Sequence, residues 1–297
     1  MAAAAEPGGA VTGRPWLVTG AAGILARDVL TCLGDEAVGL TRRDLNVCDA
    51  HAIREAVAAL RPSVVVNCAA WTAVDDAETR EAEALAVNAT AVRSLAEACA
   101  AQGCRLLHVS TDYVFDGRAS APYAEDALPA PRTAYGRTKL AGERAVLELL
   151  PEDGYVIRTA WLYGAGGANF VRTMARLEAE RPFVDVVADQ RGQPTWSADV
   201  ARLLVALGRA DAPPGVYHAT NAGDGTWHDL ARETFHLLGA DPDRVRPTTS
   251  EAFPRPAPRP AYSVLGHARW RQAGLPPLRD WREALRAALP ALFTPAR

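Results

Sequence analysis

Short apolar runs alternate with amphipathic stretches along most of this chain. Trp16, Leu17, Val18 and Thr19 form a run that stops at Gly20, and apolar residues then recur at Leu25, Val29, Leu30 and Leu33. The first pattern predicts a strand over 16–19 and the second a helix over 24–33. The alternation continues with strands predicted at 37–40, 63–68, 105–110 and 155–159, and helices at 52–60, 82–102 and 138–150. Val64-Val65-Val66 is a continuous β-branched run, as in a strand covered on both faces. The helix before it should end at Arg61-Pro62, because proline disfavours helical backbone in the preceding residue. Strands and helices succeeding one another at βαβ spacing imply a parallel sheet with right-handed crossovers. The predicted class is therefore α/β, a Rossmann-like doubly wound parallel sheet.

Beyond about Trp161 the alternation loosens. Helices are predicted at 170–180, 200–208, 227–238 and 281–289, and strands at 183–187 and 215–219. A proline-rich stretch at 253–260 precedes the last helix, which Pro290 is expected to end. This half reads as a small C-terminal substrate-binding lobe interleaved with the end of the sheet. The expected organisation is a nucleotide-binding domain over 15–165, continued by about 196–225, and a lobe made of 166–195 and 226–297. Residues 1–14 are rich in Ala and Gly, with no basic start followed by an apolar stretch. They read as a disordered tail, not a signal peptide. No internal repeat of fixed period is visible.

Composition narrows the class. The formal net charge of −3 offers no basic field for nucleic acid. No apolar run approaches the roughly 18 residues of a membrane helix. The five cysteines include no Cys-x-x-Cys pair and read as buried reduced thiols. The six histidines lack ligand spacing, so no metal is expected. Together these features point to a cytoplasmic protein.

Two segments carry candidate chemistry. Gly20-Ala21-Ala22-Gly23-Ile24-Leu25-Ala26 joins the first strand to the first helix. Glycines there permit a sharp turn and let a pyrophosphate reach backbone N–H groups at the helix N-terminus. Gly20, Gly23, Ile24 and Leu25 are the candidate contacts. The second strand ends at Leu40-Thr41-Arg42-Arg43, where an acid would bind a ribose hydroxyl and an arginine a 2′-phosphate. Asp35 and Glu36 come too early for that role, so Arg42 and Arg43 favour NADPH, with NADH left open. Further on, Tyr135 and Lys139 are four residues apart and so share one helix face. A phenol with pKa about 10 is a poor acid near neutrality. A nearby ammonium is expected to lower that value. Thr111 ends the strand at 105–110 and offers a hydroxyl where α/β sheets bind ligands.

These segments resemble a known family when taken with Asn67-Cys68-Ala69-Ala70-Trp71-Thr72-Ala73-Val74-Asp75, Ser110-Thr111-Asp112-Tyr113-Val114-Phe115 and Tyr135-Gly136-Arg137-Thr138-Lys139-Leu140-Ala141-Gly142-Glu143. The set looks like the dTDP-4-dehydrorhamnose reductase family of extended short-chain dehydrogenases/reductases. Asp189-Gln190-x-Gly192-x-Pro194-Thr195 and Arg259-Pro260-x-x-Ser263-x-Leu265 continue in the family's order, so the resemblance spans about Pro15 to Leu289. Ala26 stands where a third glycine is usual, and Cys68 where alanine is commoner.

The resemblance implies a catalytic set of Thr111, Tyr135 and Lys139. It implies cofactor contacts at Asn46, Val47, Ala69, Ala70 and Asn88, besides Tyr135 and Lys139. It places Asp112 and Trp161 near the sugar, with Asn169, Gln193 and Arg259 as candidates for the nucleotide-diphosphate end. Some family members bind Mg²⁺ at a dimer interface, but no acidic match is assigned in this sequence. The implied substrate is a dTDP-linked 4-ketosugar, reduced with NADPH by a monomer or homodimer. Two alternatives stay open. One is a 4-ketoreductase for a different dTDP-deoxysugar, which an Ala-, Arg- and Pro-rich composition favours. The other is a non-catalytic NADP-binding regulatory subunit, against which the intact Thr111, Tyr135 and Lys139 set argues.

Overall fold

Val64, Val65 and Val66 lie in the middle of a six-stranded sheet, nearly or wholly withdrawn from solvent. The computed structural model describes residues 13–293. Its sheet comprises β1 (Trp16–Thr19), β2 (Ala37–Leu40), β3 (Val64–Asn67), β4 (Arg105–Thr111), β5 (Gly154–Thr159) and β6 (Gly215–His218). The order is 2-1-3-4-5-6, and every pairing is parallel. The chain moves outward from β1 to β2, then crosses to β3 on the other side. That reversal makes the carboxyl ends of β1 and β3 the topological switch point, where such sheets bind ligands.

Successive strand residues point to opposite faces, and each face has its own helical cover. Val64 and Val66 join Val18, Leu107 and Ile157 under α1 (Ile24–Leu33) and α6 (Ser197–Arg209). Val65 joins Leu17, Leu106 and Val156 under α2 (Ala50–Leu60), α3 (81–102) and α4 (Ala134–Leu149). α3 runs from Glu81–Leu85 through a π-turn at Ala86–Thr90 into Ala91–Gln102. A sequence pattern of one unbroken helix does not register that turn, nor the short helix at Val74–Ala77 before it. The lobe contains α5 (Phe170–Glu180), α7 (Trp227–Leu237), α8 (Trp281–Phe293) and a parallel strand pair, Val184–Val187 with Val245–Thr248. Its interior gathers Tyr163, Val171, Leu230, Trp281 and Leu285, with Met174, Val186 and Phe235 beside them.

Several expectations are revised. Pro290 lies inside α8 and does not end it; Ala288 and Leu292, both fully buried, hold the last turn in the lobe. α2 starts earlier than its apolar pattern because Asp49 accepts hydrogen bonds from the His51 and Ala52 N–H groups. The segment Ala268–Gln272, expected in the lobe, instead packs on the sheet side. Trp270 lies against Tyr217 and donates its indole N–H to the His218 carbonyl at 2.6 Å. All five cysteines are free thiols, but Cys32 and Cys48 are exposed, not buried. Most of the expected tail, residues 1–12, lies outside the described residues. Arg14 is anchored to the Arg61, Pro62 and Gln102 carbonyls. No helix among the described residues is long and apolar enough to cross a membrane.

Candidate active site

A cleft of about 1380 Å³ opens along the carboxyl ends of the strands. That exceeds the roughly 300–1,000 Å³ of a typical single-ligand pocket. One end is the turn after β1. Gly20 has φ +66°, and a Cβ there would stand 2.7 Å from the Ala69 nitrogen, so only glycine allows the close approach of these two loops. Gly23 begins α1, whose first turn has no side-chain cap and no acidic residue. The N–H groups of that turn have no partner within the helix, and Ile24, Leu25 and Ala26 line the cleft, an arrangement suited to a phosphate. Gly20, Gly23, Ile24, Leu25, Asn46, Val47, Ala69 and Ala70 all line this end.

The loop after β2 decides between the two arginines. Thr41 donates from its N–H and hydroxyl to Asp44, and its hydroxyl oxygen accepts the Arg43 N–H. This closed turn places Arg42 on the cleft and leaves Arg43 outside it. The only carboxylate of that turn is tied to Thr41, so the position beside a bound ribose offers a cation and no free acid. The uncapped helix end, the open glycine turn and Arg42 together fit a dinucleotide carrying a 2′-phosphate.

Thr111, Tyr135 and Lys139 all line this same cleft. Thr111 ends β4. Thr133 caps α4 by accepting the Gly136 N–H at 3.0 Å. This starts the helix four residues before its apolar pattern and puts Tyr135 in the first turn, with Lys139 one turn on. A Cβ on Gly136 would lie 2.2 Å from the Tyr113 carbonyl, so glycine permits the helix to seat here. The Lys139 ammonium donates to the Val109 carbonyl at 2.7 Å. Burial brings its pKa down to about 8. The expected lowering of the phenol by Lys139 is not what the structure shows. Burial dominates and pushes Tyr135 up to about 12, against a smaller lowering from Thr111. The phenol is thus held protonated at neutral pH.

A family model described as the RmlD substrate binding domain matches residues 14–293. The chain belongs to the dTDP-4-dehydrorhamnose reductase family. It is 60% identical to a dTDP-4-dehydrorhamnose reductase of Streptomyces griseus, over 93% of each chain. It is 58% identical to a probable dTDP-4,6-dihydroxy-2-methyloxan-3-one 4-ketoreductase of Streptomyces antibioticus, over 94% of this chain and 95% of that one. The crystal structure of a dTDP-4-dehydrorhamnose reductase from Bacillus anthracis in complex with NADP superposes with a TM-score of 0.89. It shares 35% identity, covering 93% of this chain and 98% of that one.

Among the substrate-side residues singled out by likeness to this reductase family, Asp112, Trp161 and Arg259 line the cleft. Asp112 accepts the Thr111 hydroxyl at 3.0 Å, and burial pushes its carboxyl up to about 6. Trp161 stacks on Trp227 with ring centroids 3.7 Å apart, and its backbone has φ +46°, a strained value for a non-glycine residue. Arg259 donates to Asp75 at 2.8 Å, which aims it along one wall.

Besides Arg43, three expected contacts lie elsewhere, and each has a structural partner that explains it. Asn169 caps α5, accepting the Arg172 N–H and donating to the Gly164 and Gly167 carbonyls. Gln193 is buried behind the cleft, bonded to both backbone groups of Leu265 and to the Thr220 hydroxyl. Asn88 sits in the π-turn, where its side chain holds both backbone groups of Trp71 and the Thr138 hydroxyl. It braces the cofactor side without lining it. Trp71, Tyr113, Trp227 and Arg255 also line the cleft and were not anticipated. The first two lie inside quoted motifs; Trp227 arrives from the lobe, with no local signal.

Proposed function

We propose that this protein catalyses the NADPH-dependent reduction of the C4 ketone of a dTDP-4-keto-6-deoxyhexose, giving dTDP-rhamnose from dTDP-4-dehydrorhamnose. The observation that carries this is the convergence of Thr111, Tyr135 and Lys139 in one cleft with the Gly20 and Gly23 turn. NADPH bound along that turn supplies the hydride. The Thr111 hydroxyl, which exchanges its bond to Asp112 for one to the substrate, and the Tyr135 phenol donate to the ketone oxygen and stabilise the charge that develops there. Tyr135, protonated at neutral pH, transfers its proton to that oxygen. Lys139 orients the nicotinamide ribose and returns a proton to the phenol. Arg42 pairs with the 2′-phosphate, Trp161 and Trp227 offer an aromatic face to the sugar, and Arg259 serves the diphosphate. The cleft also has room for two ligands at once.

A second sugar is supported by the Streptomyces antibioticus relative, whose likeness to this chain is nearly as high as that of the rhamnose-forming one. In that reading the same residues reduce a different dTDP-4-ketosugar. The test is loss of nicotinamide absorbance with a panel of dTDP-4-ketosugars, product stereochemistry being read by NMR. Tyr135→Phe should lower kcat by roughly 10²–10⁴ while NADPH still binds. Near-wild-type turnover in that variant would remove the assigned chemistry.

A further inference from the structure

Thr19, Asn67 and His108 occupy one level of the sheet on three neighbouring strands. All three side chains are buried, and they form a polar chain that ends at Lys139. Asn67 Oδ1 accepts from the Thr19 hydroxyl at 2.6 Å and from the Ala69 N–H at 3.2 Å. A backbone N–H can only donate, so the oxygen end of this amide is fixed. Asn67 Nδ2 must therefore donate to His108 Nδ1, 3.0 Å away. The lone pair is then on Nδ1, and the single proton of a neutral imidazole is on Nε2. Burial and the neighbouring Lys139 hold His108 well below its ordinary pKa, so the ring is neutral. Its Nε2 lies 3.4 Å from Lys139 Nζ.

We propose that His108 is a positioning residue that governs when Lys139 carries its proton, through an N–H whose direction Asn67 fixes. This rests on the reading of Tyr135 and Lys139 given above. An ammonium has only donors, so a fixed Nε2–H opposes it; a neutral amine has a lone pair that accepts that N–H. The other groups facing the amine do not cancel this. Glu143, one turn along α4, favours the ammonium, but its carboxylate is bound by Arg158 from β5 and by Ser110 from β4. Cys68, from the loop after β3, faces the amine as a neutral thiol, which burial pushes up to about 12. Tyr135 is likewise protonated. Lys139 is thereby poised to give up and recover a proton within the working pH range, once for each proton that Tyr135 delivers.

Asn67→Asp tests the direction of the chain. It keeps an oxygen toward Ala69 and replaces the donor to Nδ1 with an acceptor. His108 then carries its proton on Nδ1 and turns a lone pair toward Lys139, which favours the ammonium. Nitrogen-15 NMR of histidine-labelled, NADP-bound protein should show protonated Nε2 in the wild type and protonated Nδ1 in Asn67→Asp. The alkaline limb of kcat/KM should rise by about one pH unit in Asn67→Asp. The rise should be clearly smaller in Asn67→Asp/His108→Leu, which retains the added charge but has no imidazole. His108→Gln, whose amide can accept from Asn67 and donate to Lys139, should keep the wild-type limb. A wild-type ring protonated on Nδ1, or a limb unmoved in Asn67→Asp, overturns the proposal. If Asn67→Asp does not fold, the wild-type spectrum and the His108→Gln profile decide it. Turnover retained in Tyr135→Phe would instead defeat the catalytic reading and leave the tautomer result standing.

Discussion

Arg158 of β5 and Glu143 of α4 form a two-pronged ion pair, with Nε to Oε1 at 2.9 Å and Nη2 to Oε2 at 2.7 Å. Both side chains are at most 3% exposed. The pair fastens α4, which carries Tyr135 and Lys139, to β5. Removing one partner leaves the other charge buried and unmatched. Glu143→Gln should therefore cost about 3–5 kcal/mol of stability, whereas Glu143→Met with Arg158→Met should cost much less. Urea unfolding followed by circular dichroism separates the two outcomes.

Asn169 distinguishes a helix cap from a ligand. Its replacement by Ala should lower stability by about 1 kcal/mol, the usual worth of an N-cap. The KM for the ketosugar should stay unchanged. A large rise in KM with little loss of stability would return Asn169 to the substrate site.

Arg42 and Arg43 stand side by side in sequence but not in role. Arg42→Ala should weaken NADPH binding about 10–100-fold, the worth of a charge-assisted contact to phosphate, and leave NADH binding nearly unchanged. Arg43→Ala should do neither. Fluorescence titration with both cofactors reads the difference.

Asp112 gives the protein a definite pH slope. Burial raises its carboxyl from 3.8 to about 6 in the folded state. Between those values the folded chain binds the proton that the unfolded chain has released, so stability falls as pH rises through this window. The loss at neutral pH is about 3 kcal/mol. Asp112→Asn should flatten the slope between pH 4 and 6 when unfolding is measured at a series of pH values.

The parallel sheet was legible because strands covered on both faces read as uninterrupted apolar runs, and the glycine turn because its spacing is local. The start of α4 was hidden: Ala134-Tyr135-Gly136 has no apolar period, and the cap at Thr133 was the signal to use. Asn169, immediately before an apolar helix, carried a cap signal too. Gln193 was beyond local reading, since its partners Thr220 and Leu265 lie 27 and 72 positions away. The acidity of Tyr135 also could not be read from the chain. Spacing shows that Lys139 shares its helix face, but only the packed structure shows that burial raises the phenol and that the lowering comes from Thr111.

The chain leaves the sheet after β5, builds part of the lobe, then comes back to lay α6 against α1 and β6 beside β5. Arg105 of β4 clasps the returning segment through the Gly208 and Ala210 carbonyls. Severing the polypeptide between 164 and 168 would therefore not liberate a self-sufficient nucleotide-binding half. The N-terminal piece would lack its border strand and the cover over Val18 and Leu25, so the two fragments should comigrate on gel filtration and melt together.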